Sequence, residues 1–271
     1  MNKYIDRWVQ AGPNKTRYLT AGDGEAVIFL HGGGAGASGE ANWSGNLGEV
    51  AEAGYAGFAP DIVGFGLTDK TKGWHTYEKK IQHIIAFMDA MCIERASFVG
   101  NSMGGGIACG IAAHHPNRVN KIIMLGGGAV KLKVATEKFQ SVIDYEPSLE
   151  SMSTVLKSFC FDESLVTEEL IEGRYQMSIL PGAQESYRDF MSIVLNSGAF
   201  IDPLQKILKN TDIPFMMIWG RDDKIVPLKY GHEMEELIPS AEFNIYDNCG
   251  HWAQIECRER FNKDLATFLK S

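Results

Sequence analysis

The sequence predicts an α/β protein: a mostly parallel central sheet, helices on its faces, and a helical insertion in the second half of the chain. Three observations carry this reading. Short apolar runs, several of them β-branched, end one after another in glycine-rich turns. Apolar residues at helical spacing lie between those runs, an alternation that implies βαβ units and buried parallel strands. From about 131 to 205 the strand-like runs stop and only helical patterns continue.

The first long strand is Ala26-Val27-Ile28-Phe29-Leu30, closed by His31-Gly32-Gly33-Gly34. Tyr55 to Pro60 is a weaker strand ending at Asp61. Glu78 to Met91 spaces Ile81, Ile84, Ile85, Phe87 and Met88 as a helix does. Ala96-Ser97-Phe98-Val99 ends at Gly100, and Met103 to Ala113 follows as a helix of small residues. Lys121 to Leu125 runs into Gly126-Gly127-Gly128. Within the insertion, Asp162 and Thr167 are N-cap candidates. Pro214 to Trp219 and Ala241 to Tyr246 resume the strands, and Arg258 to Leu269 closes the chain as a helix. The expected division is a core of 1–130 and 206–271 with a helical cap of 131–205. Ligands of such sheets collect at the carboxyl ends of the strands, where these glycines and polar residues lie.

Bulk properties exclude several function classes. At 271 residues, 45% hydrophobic and 22% charged, the chain has the composition of a soluble globular protein. No run of apolar residues is long enough for a transmembrane helix, and Met1 to Arg7 lacks the look of a secretory signal. A net charge of −8 with scattered Lys and Arg makes nucleic acid a poor partner. The cysteines (Cys92, Cys109, Cys160, Cys249, Cys257) are odd in number and form no C-x-x-C pair. Neither a disulfide framework nor a zinc knuckle is expected, and a reducing, cytoplasmic compartment fits. Without clustered His, Cys or carboxylate ligands, no metal and no organic cofactor is expected.

Gly100-Asn101-Ser102-Met103-Gly104 carries the chemistry. G-x-S-x-G places a serine on a sharp strand-to-helix turn, where flanking side chains would clash. The bland alternative is a glycine-rich helix start with a serine N-cap. A serine hydroxyl needs a base and an orienting carboxylate, and in the α/β-hydrolase fold these follow in the order Ser, Asp or Glu, His. His251, in Gly250-His251-Trp252 after the last strand, stands where that order requires. Arg221-Asp222-Asp223 offers two aspartates, and spacing does not choose between them. His31-Gly32-Gly33-Gly34 has the HGGG pattern of an oxyanion loop, with the Met103 amide as second donor. A phosphate loop is disfavoured, since no G-x-x-x-x-G-K-[ST] occurs.

HGGGAGASGEANW (31–43), DIVGFGLTD (61–69), VGNSMGG (99–105), WGRDDKIVP (219–227) and CGHWAQIE (249–256) occur in order along the chain. Together they resemble the meta-cleavage product hydrolases of bacterial aromatic catabolism. The resemblance implies cleavage of the C5–C6 bond of 2-hydroxy-6-oxo-hexa-2,4-dienoates, giving 2-hydroxypenta-2,4-dienoate and a carboxylic acid. It implies Asp223 as the carboxylate and Gly33 and Met103 as the oxyanion donors. It further implies Asn42, Asn101, Trp252 and an insertion arginine as substrate contacts. Arg174 is the match for that arginine and Arg188 the fallback. A homodimer or larger assembly is also implied. Arginine suits a carboxylate fork on physical grounds as well.

Under this reading His251 delivers a proton to C5, and Ser102 then attacks C6 or assists the attack of water. Phe159, Phe161, Met177 and Ile179 of the insertion are expected to shape the site for the C6 substituent, together with Trp252. Two rivals remain: a carboxylesterase or lactonase with the same triad, and a non-catalytic ligand-binding scaffold.

Overall fold

The computed structural model describes residues 4–131, 136–195 and 198–271, with the side chains of 195, 198 and 199 left out. The expected insertion, 131–205, therefore includes two short stretches, 132–135 and 196–197, outside the described residues.

Eight strands form one sheet in the order β1-β2-β4-β3-β5-β6-β7-β8. They are β1 (Ile5–Ala11), β2 (Asn14–Ala21), β3 (Glu25–Leu30), β4 (Tyr55–Pro60), β5 (Ala96–Asn101), β6 (Val119–Leu125), β7 (Phe215–Gly220) and β8 (Glu242–Tyr246). The pairs β1–β2 and β2–β4 are antiparallel, and all others are parallel. The amino-terminal hairpin is absent from the strand pattern read in the sequence. Its first strand lies at the sheet edge and is largely exposed, so it lacks the apolar run that marks the central strands.

The central strands are apolar throughout because both faces are covered. Val27 and Phe29 of β3, Ile123 and Leu125 of β6, and Met216 and Ile218 of β7 join one core. Ile28 and Leu30, Ile122 and Met124, and Phe215, Met217 and Trp219 join the other. Successive side chains thus feed opposite faces. The first core is closed by α1 (Gly39–Trp43), α2 (Leu47–Glu52) and α12 (Arg258–Lys270), through Trp43, Leu47, Phe261 and Leu265. The second is closed by α3 (Tyr77–Ala90), α4 (Met103–His114) and α10 (Lys229–Leu237). Helix α4 contains four glycines in twelve residues, a poor intrinsic helix. Close approach compensates: a Cβ on Gly104 would collide with the Leu30 carbonyl.

Between β6 and β7 lie α5 (Glu137–Ile143), α6 (Leu149–Phe159), α7 (Glu168–Ser178), α8 (Ala183–Leu195) and α9 (Gly198–Leu208). Thr136, Ser148 and Thr167 cap α5, α6 and α7, each accepting from the amide three residues on. Asp162 caps the short 3-10 turn Glu163–Leu165 instead.

Candidate active site

Ser102 sits between β5 and α4 with φ 53° and ψ −112°. A non-glycine residue at such angles carries strain of roughly 1–3 kcal/mol and persists only where its neighbours over-determine it. Here they do. The Ser102 amide donates to Leu125 O (2.9 Å), and Ser102 O accepts from the Gly106 amide (3.2 Å). Although Ser102 occupies the N-cap position, its hydroxyl makes no capping hydrogen bond. The helix-cap explanation of this serine therefore fails, and the hydroxyl is left for the cavity.

His251 and Asp223 meet below it. His251 Nδ1 is 2.8 Å from Asp223 Oδ2, and both side chains are buried. Asp223 Oδ1 accepts from the Ile225 and Val226 amides at 2.9 and 2.8 Å. These two bonds fix the orientation of the carboxylate toward the imidazole. Of the two aspartates that spacing did not separate, the turn after β7 pairs Asp223, the one the resemblance implied, with His251. Asp222 stays outside the pair, and Arg221 bonds Asp247 rather than Asp222. Gly126, at φ 51°, passes directly over the pair; a Cβ there would lie 3.0 Å from both Asp223 Oδ2 and His251 Nδ1.

Ser102, His251, Gly32, Gly33, Gly34, Asn42, Asn101, Met103, Arg174 and Trp252 all line one cavity with about 830 Å³ of empty space. Met103 heads α4, so its amide belongs to the turn that has no acceptor within the helix. Phe190 of α8 lies against Gly33, where a Cβ would strike its ring. Asn42 Nδ2 donates to Asn101 Oδ1 at 3.3 Å. Asn101 Nδ2 in turn donates to Leu125 O (3.3 Å) and His251 O (3.1 Å). Asn101 therefore braces the floor: both amide hydrogens bind backbone carbonyls, while its oxygen holds Asn42.

Arg174 is 3% exposed, and no carboxylate lies within ion-pairing distance among the described residues. Its Nε has no hydrogen-bond partner. The guanidinium rests 5.6 Å over the Trp252 ring, beside Gly34 and Phe159. Burial pushes its pKa down to about 10. A desolvated cation facing a cavity is a receptor for an anion.

The α/β-hydrolase fold family matches residues 25–256. A 2-hydroxy-6-oxo-2,4-heptadienoate hydrolase of Pseudomonas putida is 32% identical over 273 residues, covering 99% of this chain and 98% of that protein. A 2-hydroxy-6-oxononadienedioate/2-hydroxy-6-oxononatrienedioate hydrolase of Burkholderia vietnamiensis is 33% identical over 278 residues, covering 99% and 96%. The chain belongs to the meta-cleavage product hydrolases. The solved structure of one such hydrolase from Pseudomonas fluorescens, a serine-to-alanine variant complexed with acetates, has a TM-score of 0.89 to this chain. The two are 36% identical, with 98% of each chain covered.

Other residues singled out in this hydrolase lie elsewhere. Arg188 is solvent-exposed and pairs with Glu146 at 3.3 Å. Phe161 and Ile179 are 43% and 42% exposed, and Met177 lines a separate small cavity. Of the four insertion residues expected around the C6 substituent, only Phe159 faces the catalytic cavity. The apolar wall comes instead from Phe139, Val142, Phe190, Met191, Val194 and Ile201, with Val130, Ile225 and Val226 from the sheet side.

Glu256 is a further residue that sequence reasoning passed over, although it ends CGHWAQIE. Its carboxylate accepts from the Gly250 amide (2.9 Å) on the histidine loop and from the Phe161 amide (2.6 Å) beyond α6. The His251 amide itself donates to Phe159 O at 2.7 Å.

Proposed function

We propose that this hydrolase cleaves the C5–C6 bond of a 2-hydroxy-6-oxo-hexa-2,4-dienoate to 2-hydroxypenta-2,4-dienoate and a carboxylic acid. One observation carries the reading: the buried, unpaired Arg174 shares a cavity with Ser102 and His251. A simple ester hydrolase gains nothing from a desolvated cation, whereas a dienoate carboxylate compensates it. Residues 131–205 act as the cap that supplies this cation.

In the proposed reaction, Arg174 and Asn42 hold the carboxylate and 2-hydroxyl end, with Asn101 steadying Asn42 and Trp252 backing the guanidinium. His251, oriented by Asp223, carries the 2-hydroxyl proton to C5, converting the dienol to its isomeric ketone and leaving the imidazole neutral. Ser102 gives its proton to His251 and adds to the C6 carbonyl, and the oxyanion is received by the Gly33 and Met103 amides, each worth about 3 kcal/mol in the transition state. The C5–C6 bond then breaks, its electron pair enters the conjugated ketone as a dienolate, and the protonated His251 returns its proton to give the dienol. Water hydrolyses the acyl-serine.

The wall away from Arg174 supports an apolar C6 substituent. Among the described lining residues there is no acidic side chain, and no basic one besides Arg174 and His251; an unpaired carboxylate buried against the apolar wall would cost several kcal/mol. We also infer work in the cytoplasm, supported by five unpaired thiols, and a homodimer or larger assembly, supported by exposed Ile5 and Trp8 on edge strand β1. Sedimentation tests the assembly. Loss of the dienoate's visible absorbance on mixing tests the reaction; turnover of aryl esters without it would show an esterase.

A further inference from the structure

We propose that His31 is a positioning residue for the oxyanion hole: its ring fixes the plane of the Gly32–Gly33 peptide and so aims the Gly33 amide. This rests on the reading of Gly33 as an oxyanion donor.

His31 is fully buried at the end of β3. Its Nε2 lies 2.9 Å from the Ile62 amide, and its Nδ1 lies 2.8 Å from Gly32 O. A backbone amide can only donate, so Nε2 carries the lone pair. The proton of the neutral ring is then on Nδ1, which donates to the Gly32 carbonyl. Burial, reinforced by the positive charges of Arg174 and Lys80, pushes this imidazole down to about 3. The ring therefore keeps this single tautomer across the neutral range.

The Gly32 carbonyl and the Gly33 amide are two ends of one peptide unit, which is planar and trans. In a trans unit C=O and N–H point in opposite directions. Drawing the carbonyl toward the ring turns the Gly33 N–H away from it. Gly33 lies on the cavity wall with Ser102, and Phe190 presses on its α-carbon side. Ring and phenyl together leave the peptide one orientation.

His83 provides an internal comparison. Its Nδ1 accepts from the Val63 amide (3.2 Å), so its Nε2 donates to Thr16 Oγ1 (2.8 Å). The two imidazoles hold adjacent amides with opposite tautomers. Only that of His31 ends on the oxyanion loop. A rigid ring with an acceptor at one side and a donor at the other is what this position uses, and shorter side chains supply one but not both.

Two substitutions separate the two bonds. His31→Asn keeps a donor near the Nδ1 position and drops the acceptor for Ile62. His31→Gln keeps an acceptor near the Nε2 position and drops the donor to Gly32. Three quantities are measured for each: kcat and KM on a dienoate, the rate of Ser102 phosphonylation by a fluorophosphonate, and the melting midpoint. His31→Gln is expected to lower kcat and phosphonylation each by about 100-fold with KM nearly unchanged, and His31→Asn by less than about tenfold. Equal losses in the two variants, or losses that track the melting midpoint alone, would overturn the proposal. Phosphonylation needs the oxyanion donors whatever the substrate. A wild-type protein that labels rapidly but cleaves no dienoate would defeat the proposed function, while the two variants would still decide the part played by His31.

Discussion

The floor and the roof of the cavity are built on different principles. The floor is made of turns at the ends of β3, β5, β6 and β7, held by backbone hydrogen bonds and by glycines packed against their neighbours. Ser102 at positive φ, Gly126 over the Asp223–His251 pair and Asn101 across three loops leave little room for displacement. The roof is made of α5 to α9, which offer apolar side chains and one arginine. Its wall can change chemistry by exchanging side chains on helices, without moving a backbone turn. Under the proposed function, reaction is placed where the chain is over-determined, and recognition of the C6 substituent where it is not.

Four experiments sharpen or break this contrast. On the floor, Ser102→Ala is expected to lower kcat by about ten thousand-fold with unchanged folding; dienoate cleavage at a tenth of the normal rate would remove Ser102 from the reaction. In the roof, Arg174→Gln is expected to lower kcat/KM by about 100- to 1,000-fold, largely through KM. Its melting midpoint should rise, because a desolvated unpaired cation is removed. A fall in both would mean that Arg174 serves the fold rather than the substrate. Val194→Arg, which puts a cation into the apolar wall, is expected to shift the preference from a 6-alkyl dienoate toward a dioate by about tenfold; competition kinetics with the two substrates reads this directly.

The last experiment concerns stability beneath the floor. Burial lowers His31 and His83 from the usual 6.5 to about 3. The unfolded chain therefore takes up protons between pH 6.5 and 3 that the folded chain refuses. The contribution of these two rings is present in full above pH 6.5 and is lost as pH falls toward 3, with a slope approaching about 2.7 kcal/mol per pH unit when both contribute. Lys80, buried with only Val63 O to receive its proton, is lowered from 10.5 to about 7. For that side chain the folded state binds fewer protons between pH 7 and 10.5, so stability rises with pH through that window. Urea unfolding at pH 7, 6 and 5 should show the acid limb; a flat profile would contradict the neutral-ring assignments.

The same contrast explains what could be read from sequence. Floor residues announce themselves because each turn admits few residue types: Gly104 against Leu30, Ser102 on its bend, His31 between an amide and a carbonyl. The mostly parallel sheet and the placing of Ser102, His251 and an aspartate pair after strand ends were legible for that reason. Residue spacing did not separate Asp222 from Asp223; the family resemblance pointed to Asp223, and the turn that bends the Ile225 and Val226 amides onto that carboxylate supplies the physical reason. The roof carries no such marks. Phe161 and Ile179 have the same apolar character as Phe139 and Ile201, and helical spacing does not say which face looks inward. Arg174 and Arg188 differ in burial, not in any local pattern. Asn101 was read as a substrate contact, and its hold on the His251 carbonyl came from a residue 150 positions away.

The bond between the His251 amide and Phe159 O, with Glu256 bridging the Gly250 and Phe161 amides, ties one corner of the roof to the reacting machinery. Lifting α6 at that corner would carry the imidazole off its carboxylate. Loosening α6 would therefore disturb the His251–Asp223 pair as well as the roof. Opening and misalignment of the His251–Asp223 pair are one event at this corner.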